Sequence, residues 1–128
     1  MGTKSTWVRV EGQATGVGDA SNKETVSLTV PHRGLLRRVR CLDDGTGTGS
    51  PTVAAQINET GPAGTGTDIV LSFALTTNPG VDSEEQIFYQ VSEAGTAERV
   101  GTLYVTVWTN NAATDHVVDV ALDIEVLH

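Results

Sequence analysis

Cysteine is nearly missing from this chain. Cys41 is the single one among 128 residues, so no disulfide can form within the chain and apolar burial has to hold the fold. Val39 and Leu42 beside it point to a strand, with the thiol as a small buried hydrophobe. Such usage favours a reducing compartment, or one in which disulfides are not needed. Aromatic residues are also scarce, two each of Trp, Tyr and Phe, which leaves Val, Leu, Ile and Ala to build the core. Basic residues number 8 against 16 acidic ones, for a net charge of −8. That sign argues against a nucleic-acid partner. The longest apolar runs are only strand-length, too short for a bilayer-spanning helix. No charged segment leads into an apolar stretch at the start, so no secretory leader is expected. A helical period over ten or more residues is absent, as is any repeat at solenoid or propeller spacing.

What the chain does have is alternation. Leu103, Val105 and Val107 alternate with Tyr104, Thr106 and Trp108. After a polar break, Val118, Val120, Leu122, Ile124 and Val126 alternate with Asp119, Ala121, Asp123 and Glu125. A period of two this long predicts strands with one face in a core and one in water. The same reading gives six more. Thr6 to Glu11 sets Val8 and Val10 against Trp7, Arg9 and Glu11. Val26, Leu28 and Val30 form a second strand, ended by Pro31. A third follows Gly34, with Val39 and Cys41 opposite Arg38 and Arg40. Val53–Ala55–Ile57, Ile69 to Leu75 and Ile87 to Val91 complete the set. Gly12 to Lys23, Asp43 to Pro51, Glu59 to Thr67 and Thr76 to Glu85 are expected to be connections rich in turn residues. Fourteen glycines and many threonines suit such a chain. The expectation is one all-β domain over residues 1–128, an eight-stranded two-sheet sandwich. The jelly roll is its most economical form, and an immunoglobulin-like sandwich is the alternative.

Motifs for chemistry are few. Asp43-Asp44-Gly45-Thr46-Gly47-Thr48-Gly49 offers oxygen ligands for Ca²⁺, but it lacks the spacing of an EF-hand loop and its downstream bidentate Glu. Asp and Gly are also what a tight hairpin demands, so Asp43 and Asp44 are only weak metal candidates. The loop leads through Pro51 into a strand, which excludes a phosphate-binding P-loop. His32, His116 and His128 are scattered, and each is expected in a loop or terminus. No serine sits in a nucleophile elbow. The reading is therefore non-enzymatic, with no cofactor. Met1 to Thr6 fits a loose myristoylation pattern and Asn58-Glu59-Thr60 is a formal glycosylation acceptor; both are taken as chance.

Charge placement says more. Arg33, Arg37, Arg38 and Arg40 supply half of all basic residues, while the final strand carries Asp119, Asp123 and Glu125. These opposite patches are either solvated separately, paired across strands of one sheet, or paired between subunits. Trp7, Tyr104 and Trp108 lie on the polar sides of their strands. They serve either packing and interfaces or an exposed platform of the kind that stacks on sugars. Arg33, Arg37, Arg38, Arg40, Asp119, Asp123, Glu125, Trp7 and Trp108 are thus the candidate interface.

Val26-Ser27-Leu28-Thr29-Val30-Pro31 followed by Gly34-Leu35-Leu36-Arg37-Arg38-Val39-Arg40, with the closing Gly101 to Trp108 and its long terminal partner, resembles the small jelly-roll virion structural proteins of tailed phages. That resemblance spans most of the chain and carries over no individual functional residue. It implies a capsid cement or decoration subunit, or a fibre or tail component, made in the host cytoplasm and located in the virion. Homo-oligomers, commonly trimers, are implied, with the major capsid protein or another virion protein as partner and neither nucleic acid nor membrane. The competing reading is a carbohydrate-binding or adhesin-like sandwich module, stabilised by Ca²⁺ at Asp43 and Asp44.

Overall fold

The computed structural model describes residues 6–31, 33–43, 52–58, 61–62, 69–75, 80–81, 89–91 and 101–126, with backbone alone for 69–75, 80–81 and 89–91. Among these residues the chain forms nine strands: β1 (Trp7–Val17), β2 (Glu24–Thr29), β3 (Gly34–Asp43), β4 (Val53–Asn58), β5 (Ile69–Leu75), β6 (Gly80–Val81), β7 (Tyr89–Val91), β8 (Thr102–Thr109) and β9 (His116–Val126). They make two antiparallel sheets. The first, sheet A, runs β1-β9-β3-β6, with β7 also on β3; sheet B runs β2-β8-β4-β5. The architecture is an all-β sandwich.

The two strands that alternate most strictly lie inside the sheets, not at their edges. β9 is flanked by β1 and β3, and β8 by β2 and β4. Val118, Val120, Leu122 and Ile124 of β9, with Leu36, Val39 and Cys41 of β3, form one wall of the core. Leu103, Val105 and Val107 of β8, with Val53, Ala55 and Ile57 of β4 and Leu28 of β2, form the other. Period two puts every second residue of each strand on the same side, so aliphatic side chains line both walls of the interior.

β1 runs further than composition predicts. Residues 12–17, expected as part of a connection, continue its ladder on β9 through Ala14 opposite Val118 to Val17 opposite His116. The reason lies across the sandwich. A Cβ at Gly12 would overlap Val26 Cγ1 and come within 2.9 Å of Leu28 Cδ2. Glycine is there because β1 crosses β2 closely, not because the chain turns. The register then shifts between Ala14 and Val17, where Gly16 takes φ +69°, the left-handed conformation that glycine adopts without penalty. A turn over 18–23 follows, docked on the end of β8 by Thr109, whose N–H and hydroxyl both donate to the Gly18 carbonyl. The sixth expected strand is present as Tyr89–Val91, and Ile87 and Phe88 lie outside the described residues. Gly80–Val81 pairs with β3 inside what composition predicts as a connection.

Candidate interaction surface

The outer face of sheet A is a charge ladder centred on β9. Asp119, Ala121, Asp123 and Glu125 point away from the core, and the register sets residues of β1 and β3 on either side of them. Asp123 is opposite Arg9 on one flank and Arg38 on the other. The Arg9 guanidinium grips it with two bonds, Nε to Oδ1 at 2.6 Å and Nη2 to Oδ2 at 3.1 Å, while Arg38 Nη1 lies 3.6 Å from Oδ2. Hydrogen bonding to Asp123, then its charge, holds the Arg9 guanidinium above its ordinary pKa. Arg37 holds Glu125, with Nη2 2.9 Å and Nε 3.0 Å from Oε1. Gln13 Nε2 donates to Asp119 Oδ1 at 2.7 Å.

Two consecutive arginines can serve one face only because β3 is bulged. Neighbouring residues of a regular strand point to opposite sides. Here Leu36 pairs with Ile124 and Arg38 with Asp123, leaving Arg37 as the extra residue. The bulge turns both guanidiniums toward β9. Of the three readings of the charge patches, pairing across strands of one sheet is the one present within the chain. Arg9 and Gln13 were not anticipated. Arg9 stands opposite Val8 and Val10 in the sequence, but its role depends on β1 pairing with β9, which no local signal announces.

Ala121 breaks the ladder. It is flanked by Glu11 on β1 and Arg40 on β3, two charges about twice the ~4.8 Å strand spacing apart. Above the small side chain lies an open groove of about 580 Å³, lined by Glu11, Gln13, Arg40, Leu42 and Asp119 among others. Trp7 occupies the end of this face, opposite Glu125, and at 54% exposure it is the large hydrophobic side chain most open to water among the described residues.

The remaining candidates lie elsewhere. Arg33 is exposed just before β3. Trp108 is half-buried on sheet B, with Lys23 Nζ 4.3 Å from its ring centroid. Trp7 and Trp108 therefore face opposite sides of the sandwich and form no joint platform. His116 corrects the expectation of a loop histidine. It opens β9, fully buried, with Nδ1 2.8 Å from Oδ2 of buried Asp43. Asp43 thus ends β3 inside the core; Asp44, His32 and His128 lie outside the described residues. Among the described residues no group of three His, Cys, Asp or Glu is placed to hold a metal. Cys41 is buried as expected. Asn58, the formal glycosylation acceptor, is buried, and its carboxamide has no hydrogen-bond partner among the described residues.

Neither a family model nor a curated protein sequence matches the chain. Among solved structures it is similar to a chain of the cyanophage Pam1 capsid asymmetric unit, with 19% identity and a TM-score of 0.57 over 99% of this chain and 89% of that one. A Desmodium yellow mottle tymovirus chain (9% identity, TM-score 0.33, 98% and 90% covered) and a CBM4 structure (16%, 0.38, 95% and 93%) are more distant. The cyanophage likeness supports the two-sheet β architecture.

Proposed function

We propose that this is a non-enzymatic structural protein of a phage virion, a capsid cement or decoration subunit that bridges neighbouring capsid proteins. The observation that carries the reading is the pairing order. β1 pairs with β9, β2 with β8, β3 with β7 and β6, and β4 with β5. That is one long antiparallel ribbon rolled so that its successive strand pairs fall in alternate sheets, the arrangement expected of a jelly roll. An immunoglobulin-like sandwich keeps its first two strands in one sheet, whereas β1 and β2 lie in different sheets here. Likeness in fold to a phage capsid chain over nearly the whole length adds support.

A cement subunit has to present a stiff face, since its work is to resist displacement of what it bridges. The outer face of sheet A suits that task. Its carboxylates are already held by Arg9, Arg37, Arg38 and Gln13, so docking costs less side-chain ordering than it would for free surface charges. Trp7 and the arginines are residue types enriched at the centres of interfaces. On this reading the subunit also associates with further copies of itself, with Trp7, Arg37, Arg38, Arg40, Asp119, Asp123 and Glu125 at that contact. The test is co-sedimentation of the purified chain with capsid shells of the phage that encodes it. Saturable binding at a fixed ratio to the capsid protein is expected, and a chain that stays in solution at every concentration overturns the reading.

A further inference from the structure

We infer that the outer face of sheet A is a self-complementary surface, and that its occupant is a second copy of this chain related by a two-fold axis running along β9 over Ala121. This goes beyond the virion reading and holds or fails in the isolated protein.

The first argument is charge segregation. The face carries four cations, Arg9, Arg37, Arg38 and Arg40, and four anions, Glu11, Asp119, Asp123 and Glu125. It is neutral, so the whole net charge of −8 belongs to the rest of the chain. Two copies approaching by other surfaces repel each other on average; by this face they do not.

The second argument is register. Glu11 and Arg40 both sit opposite Ala121, one on each side. Among the described residues neither has an ion pair or a side-chain hydrogen bond, unlike the arginines one step along the ladder. A two-fold axis parallel to β9 exchanges the two flanks. It places Arg40 of one copy over Glu11 of the other, and the reverse contact follows by symmetry. The small side chain of Ala121 leaves the groove that lets these longer side chains meet. One end of the face brings Trp7 over Leu35 and Arg37 of the other copy, since both Trp7 and Leu35 lie opposite Glu125. The Asp123 rows then bring four arginines around two carboxylates. The Asp119 rows bring together two carboxylates, each held by Gln13, and the pair of faces stays neutral as a whole.

Three strands of ten or eleven residues, at ~3.4 Å per residue and ~4.8 Å between strands, offer roughly 500 Å² per copy. About 1,000 Å² for the pair is the lower limit for a specific contact. The dimer is therefore weak alone and sensitive to salt.

A two-variant mixing experiment tests this. Glu11→Arg sets like charges against Arg40 of a second copy, and Arg40→Glu does the same against Glu11. Each variant alone should lose self-association at least tenfold by sedimentation velocity at low salt. Mixed one to one, they should recover it as a heterodimer, because both contacts then join opposite charges. Trp7→Ala should weaken association of the native chain, and all three should keep the native circular dichroism, since these side chains face solvent. A native chain that stays monomeric up to millimolar concentration, variants that associate as well as the native chain, or a mixture no better than its components would each overturn the proposal. Shell binding without dimerisation would overturn this inference alone, and dimerisation without shell binding the virion reading alone.

Discussion

Replacing Gly12 with alanine tests why β1 is a single long strand. The new methyl would overlap Val26 Cγ1 and stand 2.9 Å from Leu28 Cδ2, where carbon atoms settle at about 3.5–4.0 Å. Val26 cannot swing aside freely, because two groups on its Cβ restrict χ1. The two sheets must part locally, at about 1–3 kcal/mol for overpacking of this kind. Gly12 has no positive φ, so alanine also restricts the unfolded chain and returns about 0.4–1 kcal/mol. A net loss of about 1–2 kcal/mol follows, which lowers the melting temperature by roughly 4–8 °C in a chain of this size. Val26→Ala removes the obstructing methyl groups from a half-buried site at about 1 kcal/mol. In a urea-denaturation cycle followed by circular dichroism, the double variant should lose less than the sum of the singles, by about 1 kcal/mol or more. Additive losses, or a Gly12→Ala protein more stable than the native one, would refute the steric argument.

Gly34→Ala should cost more, above about 3 kcal/mol. Its Cβ would overlap the Glu125 carbonyl and lie 2.6 Å from Ile124 Cγ2, and a ladder carbonyl cannot yield, so Ile124→Ala should fail to rescue the midpoint. Asp43→Ala strips a buried histidine nitrogen of its hydrogen-bond partner and should cost about 1–3 kcal/mol by denaturant midpoint. Asp43→Asn keeps a hydrogen-bonding group there and should cost under about 1 kcal/mol; equal losses would show that the hydrogen bond is not what matters. Asp123→Asn should cost no more than about 1 kcal/mol at low salt, because Arg9 is 41% exposed. That difference should shrink as sodium chloride is raised to about 1 M, and a loss that salt leaves unchanged would contradict the surface placement.

The walls of the core were legible because burial follows a local rule. Val118 to Ile124 and Leu103 to Val107 declare their inward faces by alternation alone, and both faces are buried. Residues 12–17 were not legible. Glycine signals a turn when only chain neighbours are considered, and the close crossing that requires it here belongs to β2, on the opposite sheet. His116 was misread for the same reason, since its partner Asp43 is 73 residues away. Of the interaction face, the acidic stripe and the arginine cluster were visible as patches. Their pairing was not, because it depends on the bulge at Arg37 and on Arg9 arriving from the other end of the chain.

By itself, then, the sequence determined the class of fold, the strand faces and the aliphatic make-up of the core, all of which follow from a period of two and from side-chain chemistry. Only the tertiary structure decided which strands are neighbours and in what register. Those contacts join residues as distant in the chain as Trp7 and Glu125, and no local propensity carries them. Through register alone, Asp123 acquired two arginines while Glu11 and Arg40 were left facing each other across Ala121.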